Sequence, residues 1–157
     1  MLPKLEGRPI RVLIRRSLGP HLAAASIPRR RILLDALVLV ERGEFERILV
    51  HEIFHFAWVR LGSARRRSWE QLLAREIAHG APGELGWSAE WRKSKLRPAH
   101  GRGRAALWRH YLCESFCDSA AWLFAGIPRH QEFTLPAAWR KLRRAWFRRE
   151  FSGGLPI

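Results

Sequence analysis

The alternation of apolar and polar positions divides this chain into a short β-rich opening and a long helical remainder. Ile10, Val12 and Ile14 alternate with Arg11, Leu13 and Arg15, which predicts a strand with one clearly apolar face. Gly19-Pro20 marks a turn. His21 to Ile27 is open between readings: its alanines permit helix, but its place between two strands favours extended structure. Arg31 to Asp35 reads as a strand with Ile32 and Leu34 on one side, and Ala36 to Val40 either extends it or starts a short helix.

The period then changes. After Arg42-Gly43, Phe45, Ile48, Leu49, Ile53 and Phe56 recur at helical spacing, with Glu44 and Glu46 at the positive end of the helix dipole. A second helix is expected over Ser68 to Ala78, with Trp69, Leu72, Leu73 and Ile77 apolar. Gly80 to Gly103 holds five glycines and two prolines and reads as a long irregular loop. Arg104 to Phe124 is the next strong helix, stopped by Gly126 and Pro128. A last amphipathic helix follows Thr134 as N-cap, with Pro136 just inside its start and Trp139, Leu142 and Trp146 on one core-facing stripe. Residues 1–9 read as a loose arm and 152–157 as a frayed tail. The expected fold is α+β: a small antiparallel-type sheet of about three strands on about four helices. The 157 residues suit one domain, 1–157.

Composition narrows the partners. The formal net charge is +15, mostly from arginine, which points either to a solvated surface or to an acidic partner or nucleic acid. Cys113 and Cys117 are four apart; on one helix a disulfide between them would be strained, so reduced thiols in a cytoplasm are expected. The opening MLPKLEGRPIRVLIRR lacks the apolar run of a signal peptide, and the longest apolar run, Ala36 to Val40, is too short to span a bilayer. No membrane association is expected, and the oligomeric state is not encoded.

The chemistry lies in His51-Glu52-Ile53-Phe54-His55. Positions four apart on a helix share a face, so His51 and His55 can point two imidazole nitrogens at one metal ion, while Glu52 reaches a water beside it. Zinc suits two imidazoles, lowers the pKa of its water and leaves Glu52 as general base. The plainer alternative is a pair of satisfied structural histidines, but two His and a Glu inside an apolar helix would cost free energy without partners. A third protein ligand is expected, and Glu114 is the candidate. Asp118, one turn on and one of only two aspartates, can accept the second N–H of a ligating histidine, His51 first. His79 and His100 compete with Glu114 as third ligand. His110 and Tyr111, one turn before Glu114, are candidate oxyanion donors.

H-E-x-x-H followed by E-x-x-x-D on a later helix resembles the gluzincin metallopeptidases, the thermolysin-like clan, and ESFCDSAAWLF resembles the glutamate helix of ImmA/IrrE-type peptidases. The resemblance implies a zincin-like fold and a zinc-dependent endopeptidase acting on polypeptides. It also implies His51, His55 and Glu114 as ligands, Glu52 as general base and Asp118 behind His51. Cys113 and Cys117 stand where the thermolysin pattern has Asn and Ser, and 58 residues separate His55 from Glu114. The later His79-Gly80 resembles that of SprT-like proteases, whose substrates are on DNA. Many zinc peptidases pair an extended substrate with a strand beside the site; here the expected strand is 31–35.

Overall fold

The computed structural model describes residues 2–41, 43–96, 101–151 and 153–157. The fold is α+β. Strands β1 (Leu5–Glu6), β2 (Arg11–Arg15), β3 (Ala23–Ser26) and β4 (Arg31–Asp35) lead through a 3-10 turn, Ala36–Leu39, into helix α1 (Glu44–Arg60). Then come α2 (Ser63–Ala78), α3 (Trp87–Leu96), α4 (Gly101–Phe124), α5 (Ala137–Glu150) and β5 (Leu155–Pro156). Among the described residues no helix is long and apolar enough to cross a membrane.

The main sheet has the order β2-β4-β3, with β4 antiparallel to β3 but parallel to β2. A purely antiparallel sheet is therefore not formed. The chain reverses between β2 and β3 without pairing them, and β4 enters the gap. Burial accounts for that order. Ile32 and Leu34 of β4 are fully buried, whereas Val12 and Ile14 of β2 remain 43% and 49% exposed, so the strand with most apolar area to hide takes the centre.

The central position of β4 overturns one expectation. Both its edges are already paired, so residues 31–35 cannot take an added strand. The free edge beside α1 belongs to β3. Asp35 N–H donates to Leu22 C=O, and the register pairs Ala24 with Leu33. In such a ladder alternate residues bond inward, so the main-chain groups of Ala23 and Ala25 point outward.

Beneath the sheet α1 packs on α4 through Phe54 and Phe116, whose ring centroids are 5.6 Å apart. Phe116 also stacks on Phe147 of α5 at 5.2 Å, and Trp69 of α2 meets Phe116 edge-on. Each fully buried aromatic contributes about 1.5–3 kcal/mol by leaving water.

The helices differ from expectation in three places. α2 starts at Ser63 rather than Ser68, because the arginine run joins the helix and Arg66 stacks on Trp58 while donating to its carbonyl at 2.8 Å. α3 occupies the middle of the stretch expected to be loop. Thr134 does not cap α5; Pro136 stands at that N-cap, and Thr134 instead exchanges hydrogen bonds with Glu84. The ends are also tied down. β1 pairs in parallel with β5, and Leu155 is fully buried, so neither the arm nor the tail is frayed there.

Candidate metal centre and cleft

α1 and α4 bring the chemistry together. His51 and His55, one turn apart, turn their rings edge to face with Nε2 atoms 3.2 Å apart. Glu114 Oε2 lies 3.4 Å from His51 Nε2. His51 Nδ1 donates to Asp118 Oδ1 at 2.7 Å, which fixes the ring and leaves the Nε2 lone pair facing Glu114 and His55. The other Asp118 oxygen accepts from Ala89 N–H at 3.0 Å. Ser88 Oγ donates to Glu114 Oε2 at 2.6 Å, and Arg92 lies 3.4 Å from Oε1.

Ligands about 2.0–2.2 Å from a tetrahedral ion sit about 3.4 Å from one another. The two separations at His51 match that spacing. Two groups of close donors also draw in the thiols: His55 with Cys113 and Glu114, and His51 with His55 and Cys117. The thiols are poorer choices. Cys113 Sγ approaches His55 at Nδ1, 3.5 Å away, on the far side of the ring from His51. Cys117 is fully buried, and burial pushes its pKa well up, favouring the neutral thiol. The two separations at His51 are what suits a divalent cation shared by His51, His55 and Glu114.

The charged groups of the site shift one another's protonation. Burial raises Glu114, but His51, His55 and the Ser88 hydrogen bond outweigh it and hold the carboxyl at about 2. Burial lowers His51, yet Asp118 and Glu114 drive it well above its ordinary value. Buried Glu52 moves the other way: desolvation raises it against the pull of the two histidines and the Ala25 N–H. Cys113 falls to about 6, chiefly through its hydrogen bond to Cys117, with His55 adding to it against burial.

His51 and Glu52 stand where two depressions join. One, of about 590 Å³, has apolar walls of Leu37, Val38, Val40, Ile48 and Trp87 and ends at Glu44, Arg47 and Glu132. The other, of about 340 Å³, runs along Ala23, Ala24 and Ala25 past His55, Ser88, Arg92 and Glu114. Together they form one cleft beneath the free edge of β3.

Several expected residues are not brought to it. Tyr111 is fully buried, with its hydroxyl donating to Glu84 at 2.5 Å, so it faces away from Glu114. His110 is exposed and does not line the cleft. His79 ends α2, where its ring hydrogen-bonds Arg75 C=O at 2.8 Å and rests on Trp139. His100 lies outside the described residues. Conversely, Ser88, Arg92 and Gly86 were not legible, because α3 was hidden in a glycine-rich stretch. A Cβ at Gly86 would collide with the Asp118 carboxylate. Only the Ser88–Arg92 spacing, four apart, hinted at a shared helical face.

The chain matches no protein-family model, no curated protein and no solved structure.

Proposed function

We propose that this chain is a metal-dependent hydrolase with a zincin-like fold, and more particularly a zinc endopeptidase of the gluzincin type. The observation that supports this most is the approach of both His55 Nε2 and Glu114 Oε2 to His51 Nε2, with Glu52 beside them in the same cleft. The donor set of two imidazoles and a carboxylate suits zinc, which when bound would polarise a carbonyl and acidify water.

The remaining work belongs to the protein's own groups. Glu52 takes a proton from water and returns it to the departing amine; its burial raises its proton affinity toward that task. Asp118 keeps the proton of His51 on Nδ1. An extended polypeptide lies against β3, offering main-chain groups to the outward-facing Ala23 and to the carbonyl of Ala25, whose N–H is already held by Glu52. An apolar side chain fills the chamber walled by Val38, Ile48 and Trp87. Arg92 is the cationic donor lining the β3 side of the cleft.

Glu52→Gln tests the reading. Cleavage of a mixture of unfolded polypeptides by the zinc-loaded protein should fall about 10²–10⁴-fold, with metal content unchanged. Undiminished cleavage would remove Glu52 from the chemistry.

A further inference from the structure

Amide hydrolysis needs a donor where the carbonyl oxygen turns negative. His110 and Tyr111, the residues expected there, line neither depression of the cleft. Arg92 does. It lines the depression that holds the β3 edge, His51, Glu52, His55 and Glu114. Its Nη1 donates to Ser88 C=O at 2.7 Å and to Ser88 Oγ at 3.0 Å, which anchors the guanidinium to the preceding turn of α3. Its Nη2 stands 3.4 Å from Glu114 Oε1.

That separation is long for a charge-assisted pair, which closes to about 2.7–2.9 Å. Where an arginine works as a buried tie, this fold does close the pair: Arg47 reaches Glu44 at 2.7 Å and Arg143 reaches Glu76 at 2.6 Å. Arg65 meets Glu150 as loosely, at 3.3 Å, but it is 43% exposed and lines neither depression. Glu114 needs no clamp from Arg92, because Ser88 Oγ already donates to it at 2.6 Å. Among the described residues, Nη2 and Nε of Arg92 donate no hydrogen bond. The group is thus held in place with donors to spare. Other candidates are committed or loose. Arg47, at the end of the apolar chamber, has all three nitrogens on Glu44 and Glu132. His21 lines the β3 side, but it is exposed and no hydrogen bond among the described residues holds its ring.

We infer that Arg92 is a catalytic residue whose spare N–H groups receive the oxyanion formed when the scissile carbonyl is attacked. The inference rests on the hydrolase reading above. In that step the water oxygen bonds to the carbonyl carbon, the C=O π pair moves onto oxygen, and a water proton passes to Glu52. Negative charge therefore leaves Glu52 and appears on the substrate oxygen, where a fixed, forked and permanently charged donor stabilises it. A substrate carboxylate suits the same guanidinium less well. It would add a standing anion beside Glu52 and Glu114, whereas the oxyanion arises only as Glu52 is neutralised.

The test uses the zinc-loaded full chain with Glu52→Gln, which keeps an amide peptide intact, and adds Arg92→Gln or Arg92→Lys. Two ligands are compared by calorimetry: a phosphonamidate peptide with leucine after the phosphorus, whose tetrahedral anion resembles the attacked carbonyl, and the amide peptide of the same sequence. With Arg92 present, the phosphonamidate should bind at least about a hundredfold more tightly than the amide. Arg92→Gln should weaken the phosphonamidate about 10²–10³-fold and leave the amide within about threefold, with zinc content unchanged. Arg92→Lys keeps the charge without the fork and should fall between; it also carries the test should Arg92→Gln fail to fold by circular dichroism. With Glu52 restored, Arg92→Gln should lower kcat for unfolded polypeptide by a similar factor and leave KM nearly unchanged. Equal weakening of both ligands would make Arg92 a ground-state binder. Loss of zinc would make it a support for Glu114, and undiminished phosphonamidate binding would remove it from the chemistry. Each of these overturns the inference and leaves the hydrolase reading standing. Failure of the zinc-loaded chain with Arg92 to bind the phosphonamidate at all would overturn both.

Discussion

Cys113 lies against the proposed metal ligands without being one of the proposed set. Its sulfur meets His55 at Nδ1, 3.5 Å away, and so acts on the ring from behind. Groups that orient a metal-binding histidine commonly change affinity by 10–100-fold. Cys113→Ala should therefore weaken zinc binding by about tenfold in a chelator competition, with Cys113→Ser intermediate; an unchanged affinity would reduce the thiol to packing. The His51, His55, Glu114 and Asp118 set was legible because four-residue spacing on a helix is itself geometry. Tyr111 was misplaced for the same kind of reason. It shares its helical face with Ser115, four residues on, and both reach Glu84, whereas Glu114 turns toward α1.

Among elements, α3 matters most and announced itself least. Its start is held by carboxylates from far along the chain: Glu132 accepts from Trp87 N–H at 2.9 Å and Asp118 from Ala89 N–H at 3.0 Å. Such caps satisfy orphan amides and suit the helix dipole, but no local window of sequence contains them. Gly86 makes room for Asp118 at this junction. Gly86→Val should push the carboxylate away, uncapping α3 and releasing His51 together. We expect a lower melting temperature and roughly 10–100-fold weaker metal binding. A drop in stability with metal affinity intact would separate the two roles of Asp118. The strands teach a similar lesson. Alternation located β2 and β4, but pairing order depends on which strand has most apolar area to bury, and only the whole sheet shows β3 to be the edge beside α1.

The whole molecule is joined behind the cleft by Arg143, which is fully buried. It meets Glu76 at 2.6 Å and Glu84 at 2.7 Å, linking α5 to α2 and to the segment before α3. On the sequence it was one more cation around an amphipathic stripe, since nothing local marks a charge as buried. Removing one member of such a network strands the others and costs about 3–5 kcal/mol. Arg143→Met should lose about that much at neutral pH in urea unfolding. The difference from wild type should narrow on acidification. In wild type, burial raises Glu84 but Arg143 holds it below its ordinary value, so its contribution is lost as pH falls through the folded pKa. In the variant Lys93 is the cation left beside Glu84 and Arg143 no longer offsets burial, so the folded pKa values of both carboxyls rise and protonation stabilises that fold as pH falls. A constant gap across pH would deny the network its electrostatic character.

X-ray absorption at the zinc edge of the loaded protein reads directly which atoms would face the metal. The expected result is one zinc per chain with a nitrogen and oxygen shell at about 2.0–2.2 Å, and loss of that zinc in Glu114→Ala. A sulfur shell at about 2.3 Å, or zinc retained unchanged without Glu114, would contradict it.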